Sequence, residues 1–486
     1  MPVDEGAPAA ETAPSHGELA PRGLDAVPRS FFLEGRFGRL FRLLPPFEPS
    51  EALLIELGRA GGPLAEPAQP RAADNPDIAA GFTYLGQFMD HDITFDPTSS
   101  FARSHDPDAL ENFRTPRFDL DCLYGSGPKA SPHLYSTRDG RKFLLERNRA
   151  RELDLPRNSQ QVALISDPRN DENIIVSQLH VGFLAFHNAV VDHLAESRQN
   201  RERHALPGES LFDTAQRLVR WHYQWAVAHE FLPLVCGAAV VRERFSKDSS
   251  GRFTIELDHY HPQEQAFIPV EFAVAAYRFG HSMIRPRYDL NDVIVANIFG
   301  RPGDDPLSHL GGGRRLPEAW QAKWSLFFQF PGRRAPQPSR KVNAKLARQL
   351  FQLPGTVVSS ARPELHSLAV RNLLRGRALG LPSGQAVATA LGVTPLTNAQ
   401  LGLTGAGWDG QAPLWFYILK EAEKSASGRR LGPVGGTIVA EVLLGLLAED
   451  STSFVNAETP WRPVRPIAPS PGKFGIVNLL RFAGVA

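Results

Sequence analysis

One stretch, Thr83 to Pro97 (TYLGQFMDHDITFDP), limits most strongly what this chain can fold into. Its apolar residues recur at helical spacing, which predicts an amphipathic helix. On that helix Gln87 and His91 lie one turn apart on the same face, with Asp90 beside them. Buried polar groups cost free energy unless they have partners, so this face requires partners or a ligand. A core histidine beside a surface acidic pair is the structural alternative.

Composition excludes several classes of protein. The 486 residues carry a formal net charge of +1, with 42% hydrophobic and 22% charged residues, as in a globular protein with a large core. Arginines are scattered, which argues against a nucleic-acid surface. We see no apolar stretch of about 18 residues or more, which argues against a membrane span. Two cysteines, Cys122 and Cys236, suit a reducing compartment. We expect a cytoplasmic location, with export without a cleaved signal as the alternative.

The domain organisation follows from a shift in composition. Residues 1–30 are small, acidic and proline-rich, which predicts a disordered tail. From Phe31 onwards aromatic residues become frequent, without internal repeats and with little strand-like alternation. We therefore expect one large, mainly α-helical domain over 31–486, with few short strands. Apolar periodicity predicts helices over 318–330, 340–351, 385–392, 412–424 and 435–449, and Asp77 is expected to cap the helix that carries His91.

Oxygen-bearing side chains alternate in the segment 115–128 (TPRFDLDCLYGSGP). They are Thr115, Asp119 and Asp121, and Arg117 between them offers its carbonyl. In an extended loop, alternate residues face the same way, so these oxygens can surround one hard cation. An Asp-rich turn before a hairpin is the structural alternative.

Two later segments place polar groups beside apolar helices. The loop SDPRNDEN precedes a long helix with apolar positions from Val176 to Leu194, on which the histidines and Asn188 are expected to be packing groups. Residues 270–290 (VEFAVAAYRFGHSMIRPRYDL) predict a second helix that Pro286 stops, with His281 in its last turn. A glycine directly before His281 suggests that something flat approaches the backbone. A structural histidine is the alternative there.

These segments, in this order, resemble the animal-type haem peroxidases of the peroxidase–cyclooxygenase superfamily, in particular its bacterial branch. The resemblance runs from about Gly35 to the C-terminus, and each motif alone is weak whereas five in register are specific. The matching motifs are GQFMDHD (distal haem), LDCLYGS (end of the calcium loop), SDPRNDEN (distal arginine), YRFGHSMIRP (proximal histidine), NLLRGRALGLP (propionate side), and PLWFYILKEAE with VAEVLLGLLAED (C-terminal helices). It implies a helical domain that encloses a haem between a distal and a proximal helix.

The resemblance also implies catalytic roles. His281 would be the proximal ligand to haem iron, and Asn372 would accept a hydrogen bond from its other ring nitrogen. His91 would be the distal acid–base group, and Arg169 would stabilise charge on the leaving oxygen of hydrogen peroxide. Gln87 would bind distal water or a halide.

Further residues would hold the cofactors, haem b and Ca²⁺. Asp90, Glu172 or both would form ester links to haem methyl groups, whereas Asn173 stands where some mammalian members have the methionine of a sulfonium link. Arg375 would clasp a haem propionate. The calcium ligands would be Asp92, Thr115, Arg117 (carbonyl), Asp119 and Asp121. Because Asp92 directly follows His91, the cation would fix the distal helix.

The implied activity is reduction of hydrogen peroxide with oxidation of small phenols or of bromide, iodide or thiocyanate. A fatty-acid dioxygenase of the same superfamily is the nearest alternative. Those enzymes use a tyrosine three residues before the proximal histidine, where this chain has Arg278, and on an α-helix Tyr277 would be rotated by about 100°. A non-enzymatic haem protein would be expected to lack His91 or Arg169. A metal hydrolase built on the DHD trio would leave His281 unexplained.

Overall fold

The computed structural model describes residues 35–68, 73–96, 106–107, 110–263, 265–300, 303–355, 357–358 and 360–486. Over these ranges helices predominate and strands are short, so the predicted mainly α-helical fold is confirmed. The predicted tail, residues 1–30, lies outside the described residues. The α-helices are α1 (Glu51–Gly58), α2 (Gly81–Ile93), α3 (Asp121–Tyr124), α4 (Gly127–Ala130), α5 (Ile174–Glu196), α6 (Arg198–His204), α7 (Leu211–Ala226), α8 (Leu232–Cys236), α9 (Ala238–Arg244), α10 (Leu368–Ala378), α11 (Gly384–Ala390), α12 (Asn398–Leu401), α13 (Leu414–Ala426), α14 (Pro433–Glu449) and α15 (Ile476–Phe482).

The described strands form small sheets around this helical core. They are β1 (Gly35–Gly38), β2 (Asp74–Ala79), β3 (Glu111–Asn112), β4 (Glu146–Arg147), β5 (Leu153–Asp154), β6 (Phe245–Lys247), β7 (Phe253–Ile255), β8 (Ile268–Pro269), β9 (Arg287–Asp289), β10 (Val295–Asn297) and β11 (Pro338–Arg340). β1 is the middle strand of a three-stranded sheet, antiparallel to β3 and parallel to β8. The antiparallel pair β2–β11 leads directly into α2. This pair therefore sets where α2 begins.

The core is built on α5 and α14, which are buried on nearly all sides. α5 begins at Asn173, whose side chain accepts from the backbone N–H of Val176, and α7 begins with a capping box between Ser210 and Asp213. α5 is long and apolar enough to cross a membrane by length and composition, but 89% of its most apolar window is buried inside the protein. It therefore has the burial of a core helix.

The start of α2 differs from expectation. Asp77 does not cap it, since α2 begins after Ala80 without a side-chain cap, and the Asp77 carboxylate instead pairs with Arg429 at 2.5 and 2.6 Å. Gly81 is required at the first position because a Cβ there would lie 2.5 Å from the ring of Phe328. Tight packing rather than a cap thus fixes this end of the helix.

The segment that carries His281 is not the regular α-helix that the sequence predicts. It consists of a π-helical turn, Glu271–Ala275, followed by a 3₁₀ helix, Ala276–Met283. Side chains take the carbonyls that the irregular turns release: Arg278 Nε donates to Ala273 O at 3.1 Å, and Trp415 Nε1 donates to Arg278 O at 3.2 Å. In a 3₁₀ helix, residues three apart share one edge, so Arg278 and His281 lie on the same edge.

Two predicted helices are wrong. Within 318–330 the described structure has only the 3₁₀ turn Trp324–Leu326, and within 340–351 only the 3₁₀ turn Arg348–Phe351. In the second segment Arg340 ends strand β11 and forms an ion pair with Asp74 at 2.8 Å. Pairing with β2 therefore outweighs the local apolar periodicity. The helices predicted over 385–392, 412–424 and 435–449 correspond to α11, α13 and α14.

Candidate active site

His91 lies on the buried face of α2, beside Asn170, a residue that sequence reasoning missed. The His91 side chain is fully buried, and its Nδ1 is 2.9 Å from Oδ1 of Asn170. An amide oxygen only accepts hydrogen bonds, so Nδ1 donates and the lone pair of the neutral ring is on Nε2. Nε2 is therefore the basic nitrogen. The available signal was that Asn170 directly follows Arg169 in the turn expected to face His91.

Arg169 reaches the same side of α2 from the 3₁₀ turn Pro168–Asp171. Its Nη2 donates to the His91 carbonyl at 3.0 Å and to Oδ2 of Asp167 at 2.7 Å, and its Nε donates to Oδ1 of Asp167 at 3.1 Å. The guanidinium also lies 4.5 Å from the ring centroid of Phe95. Within the described residues Nη1 makes no hydrogen bond, so it can bind a ligand.

Gln87 and Glu172 are also brought together. Gln87 Nε2 donates to Oε1 of Glu172, and Gln87 Oε1 accepts from Nδ2 of Asn173 at 3.4 Å. Asp90, on the last turn of α2, accepts from Oγ1 of Thr94 at 3.0 Å. The two acids expected to link to haem thus both belong to the site region, and their ester links stay a prediction.

On the proximal side the contact between Asn372 and His281 is present, but its direction differs from expectation. Asn372 Nδ2 lies 2.8 Å from Nδ1 of His281, so the amide donates rather than accepts. The reason is Arg278, whose Nη1 donates to Oδ1 of Asn372 at 2.7 Å. Because a guanidinium has only donors, the amide oxygen must face Arg278 and its nitrogen must face the imidazole. The 3₁₀ geometry that aligns Arg278 with His281 makes this shared partner reachable.

Tyr277 joins the proximal segment to α2. Its hydroxyl donates to the carbonyl of Gly86 at 3.1 Å, and its ring is buried beside Phe272 and Phe231. Burial raises the pKa of Tyr277 well above its ordinary value. Its hydroxyl thus contacts a backbone carbonyl, which cannot take up the phenolic proton.

Three arginines lie together beneath this site. Arg278, Arg371 and Arg375 are all buried or half-buried, and Arg375 Nη1 lies 3.6 Å from Oδ2 of Asp96. Burial lowers the pKa of Arg278 to about 10, and the neighbouring Arg375 and Arg371 contribute to that decrease. Such a concentration of guanidinium groups suits a ligand that carries carboxylates.

The predicted carboxylate cluster forms between α2 and the following loop. Asp92, Asp119 and Asp121 each place a carboxylate oxygen within 4.8 Å of the others. Both Asp92 oxygens are buried and accept no hydrogen bond from the described residues, and Thr115 Oγ1 donates to Asp119 at 2.8 Å. Burial, and then mutual repulsion, raise the pKa of Asp92, while burial raises that of Asp121 to about 7. Arg117 has an exposed side chain, and the role of its carbonyl as a ligand to the cation stays a prediction.

A glycine-rich loop supports the segment that carries Arg169. The backbone N–H of Gly312 donates to Glu172 O at 2.9 Å, and that of Gly313 donates to Asp171 O at 2.7 Å. A Cβ on Gly312 would lie 1.8 Å from Asp171 O, so only glycine fits. The glycine-rich loop, residues 311–313, is therefore a packing partner of the segment that carries Arg169.

These residues fit both groups that the sequence implies. For haem, His281 offers an imidazole directly after Gly280, where a Cβ would meet no atom within 4 Å although Phe279 and Ser282 are buried. For a hard cation, the buried Asp92 oxygens and the carboxylates beside them are suitable ligands.

The chain belongs to the animal haem peroxidase family, whose model matches residues 100–402. It is 26% identical to peroxidasin of Drosophila melanogaster over 47% of this chain and 14% of that protein. It is 30% identical to a peroxidase-like protein of Margaritifera margaritifera over 44% of this chain and 26% of that protein. The chain spans less than a third of the length of these curated relatives, and membership of the bacterial branch stays a prediction.

Solved structures of two kinds share the fold. Peroxidase A from Dictyostelium discoideum superposes with a TM-score of 0.58 at 18% identity, over 88% of this chain and 89% of that chain. Fatty acid alpha-dioxygenase from Oryza sativa superposes with a TM-score of 0.58 at 16% identity, over 90% of this chain and 78% of that chain. The fold is therefore common to peroxidases and dioxygenases, and the residues of the site must distinguish them.

Proposed function

We propose that this protein is a haem peroxidase that reduces hydrogen peroxide and oxidises small organic donors, such as phenols, or halide and pseudohalide anions. The proposal rests on the pairing of His91 with Arg169. The contact of Nδ1 with Asn170 makes Nε2 the basic nitrogen of His91. Arg169 donates to the His91 carbonyl from Nη2, and its Nη1 makes no hydrogen bond within the described residues. A base and a cation held on one buried face are what heterolysis of a peroxide bond needs.

Each residue then has a defined task. Haem bound through His281 supplies a redox-active iron. Nε2 of His91 takes the proton from one oxygen of hydrogen peroxide and returns it to the other oxygen, which leaves as water. Nη1 of Arg169 stabilises the charge that develops on that leaving oxygen. Gln87 binds a water molecule or a halide on the same face of α2.

The proposed cofactor is haem b. Asp90 and Glu172 are the proposed ester-linking acids, and a sulfonium link is excluded by Asn173 because an amide has no thioether. Arg375 is the proposed partner of a propionate. The buried arginines around it support this assignment, since carboxylates bind guanidinium groups bidentately.

We propose Ca²⁺ as a second cofactor. Its ligands would be Asp92, Thr115, the carbonyl of Arg117, Asp119 and Asp121. The buried oxygens of Asp92 without hydrogen-bond donors support this proposal. Because Asp92 follows His91 directly, a cation there would order the last turn of α2.

Fatty-acid dioxygenation is the second candidate, and the shared fold favours it. Two contacts argue against it. Arg278 occupies the position three residues before His281 and is committed to Asn372, and the Tyr277 hydroxyl is committed to the carbonyl of Gly86. A radical tyrosine needs a group that accepts its proton, which a backbone carbonyl is not.

The test compares wild-type protein with His281→Ala and, as a matched control, the exposed His133→Ala. Absorption spectra are recorded before and after one equivalent of hydrogen peroxide, and then with a phenol, bromide or a fatty acid with oxygen. We expect haem in the wild type and in the control, a rapid spectral change with peroxide, and its reversal by phenol or bromide. Haem loss in His281→Ala alone supports the ligand assignment. Oxygen consumption with the fatty acid but no response to peroxide would move the function to dioxygenation.

A further inference from the structure

A fully buried carboxylate, Asp167, holds two arginines at once. Arg114 donates to its Oδ2 from Nε at 3.0 Å and from Nη2 at 2.5 Å. Arg169 donates to Oδ1 from Nε at 3.1 Å and to Oδ2 from Nη2 at 2.7 Å. Burial opposes ionisation of Asp167, but the two arginines outweigh it and hold the pKa of this carboxyl well below its ordinary value.

Arg114 also faces the carboxylate cluster. Its Nη1 lies 3.4 Å from Oδ1 of Asp121, and its side chain is 10% exposed. In the chain it directly precedes Thr115, whose hydroxyl donates to Asp119. One guanidinium is therefore shared between a proposed calcium ligand and Asp167.

The orientation of Arg169 depends on the same carboxylate. Apart from the His91 carbonyl and the ring of Phe95, Asp167 supplies every described contact of this guanidinium. The contacts thus run without a gap from Asp121 through Arg114 and Asp167 to Arg169. Neighbours that share one network of ion pairs and hydrogen bonds couple energetically.

We propose that Arg114 and Asp167 are positioning residues that couple occupancy of the cation site at Asp92, Asp119 and Asp121 to the alignment of Arg169. This inference rests on the proposed calcium site and goes beyond it. A cation that engages Asp121 takes one of the two anionic partners of Arg114, which then interacts more strongly with Asp167. Oδ2 of Asp167 accepts from both Arg114 and Arg169. A stronger contact with Arg114 therefore weakens the contact that orients the guanidinium of Arg169.

Thermodynamic linkage makes the coupling reciprocal. When Arg169 loses its charge, Asp167 interacts with Arg114 alone and holds it more strongly. Arg114 then interacts less with Asp121, so Asp121 can bind the cation more tightly. We therefore expect Arg169→Gln to strengthen Ca²⁺ binding at least about fivefold. In an Arg114→Gln background the same substitution is expected to change the affinity less than about twofold, because only long-range electrostatics remain.

The experiment is a double-mutant cycle by calorimetric titration of Ca²⁺ into the chelator-treated full chain. The variants are Arg169→Gln, Arg114→Gln and both together. Asp167→Asn, which keeps the shape of the side chain, is a second way to break the contact if Arg114→Gln does not fold. It too is expected to abolish the effect of Arg169→Gln. Equal effects in both backgrounds, or none in either, would overturn the proposal.

A second readout follows the distal side directly. In haem-loaded wild type, removing Ca²⁺ is expected to change the dissociation constant of cyanide, read from the absorption spectrum, whereas in Arg114→Gln it is expected to leave that constant unchanged. A calcium-independent cyanide affinity in the wild type would overturn the proposal, as would a wild type that binds no Ca²⁺. Neither result depends on turnover, so a failure of the peroxidase assignment is seen separately in the reaction with peroxide.

Discussion

At His281, the proposed haem ligand, two neighbours are joined through one amide. Arg278 occupies the oxygen of Asn372, and this leaves the amide nitrogen to face Nδ1 of His281. Nδ1 then accepts a hydrogen bond, so a metal ligated at Nε2 would bind the ring as an imidazolate, without a proton on either nitrogen. A histidine in this state has more anionic character than one whose Nδ1–H donates to a neighbour.

Replacing Arg278 with Met therefore has a specific expected effect. The amide of Asn372 can then turn its oxygen toward a protonated Nδ1. In the haem-loaded protein we expect the iron–histidine stretching frequency, measured by resonance Raman, to fall and the reduction potential to rise. Arg377→Met is the control, because Arg377 is an exposed arginine on α10, the helix that carries Asn372. If Arg278→Met leaves both quantities at their wild-type values, the amide orientation described here does not govern the ligand.

Motifs in the sequence predicted candidate site residues but not the contacts between them. Gln87, His91 and Arg169 were predicted from motifs, and their catalytic roles stay predictions. Asn170 and Arg278 were missed as partners because their contacts cross 79 and 94 positions of the chain. Such pairings depend on how α2, the 3₁₀ helix and α10 pack together, and no local pattern records that.

Among the elements, the glycine-rich loop has a packing role that its composition does not indicate. It packs against the segment 168–173, which carries Arg169. Gly312→Ala should displace that segment, because a Cβ there would lie 1.8 Å from Asp171 O. A displacement of this kind can slow a reaction about 100-fold, so we expect the rate with peroxide to fall at least tenfold. Gly140→Ala, exposed and with open space around it, is the control, and equal rates in both variants would contradict this role.

The helix α15 begins beside one half-buried carboxyl, that of Glu230. Glu230 accepts the backbone N–H of Ile476 at 2.8 Å, and burial raises its pKa to about 7. Because the folded pKa is raised, the stability that this group contributes is complete below its unfolded pKa of about 4.5 and is lost as the pH rises through about 7.

The substitution Glu230→Gln should remove that dependence. We expect similar unfolding free energies for variant and wild type near about pH 5, and a variant that is more stable by up to about 3 kcal/mol near about pH 8.5. Chemical denaturation at the two pH values measures the difference. A variant that loses stability at high pH in parallel with the wild type would show that Glu230 is not the titrating group.

Regular helices were predictable and irregular ones were not. The helices α5, α13 and α14 are long and rich in apolar residues, and these elements were located correctly. The proximal segment was predicted as one α-helix, but side chains of Arg278 and Trp415 take carbonyls that a regular helix would use. Long-range contacts of this kind change the helix type without changing the periodicity.

For the whole molecule, the proposed cation site links stability to pH. Without a cation, burial raises the pKa values of Asp92, Asp119 and Asp121 and favours their protonated forms, so the stability from these groups is present at low pH and is lost as the pH rises, for Asp121 through about 7. Ca²⁺ offsets that loss because it binds the ionised forms.

The stabilisation by excess Ca²⁺ is therefore expected to be larger by on the order of 2 kcal/mol near about pH 8 than near about pH 5. Thermal unfolding with Ca²⁺ and with chelator at both pH values measures it. Asp121→Asn should reduce the stabilisation at the higher pH. A gain from Ca²⁺ that is the same at both pH values would contradict the assignment of these carboxylates.

The measurement that tests the account most directly is the stopped-flow rate of hydrogen peroxide with haem-loaded wild type and haem-loaded His91→Ala. If Nε2 of His91 moves the peroxide proton, the variant should keep its Soret band and react more slowly by about 100-fold to 10,000-fold. His133→Ala should react at the wild-type rate. A haem-loaded His91→Ala that reacts as fast as the wild type would contradict the account.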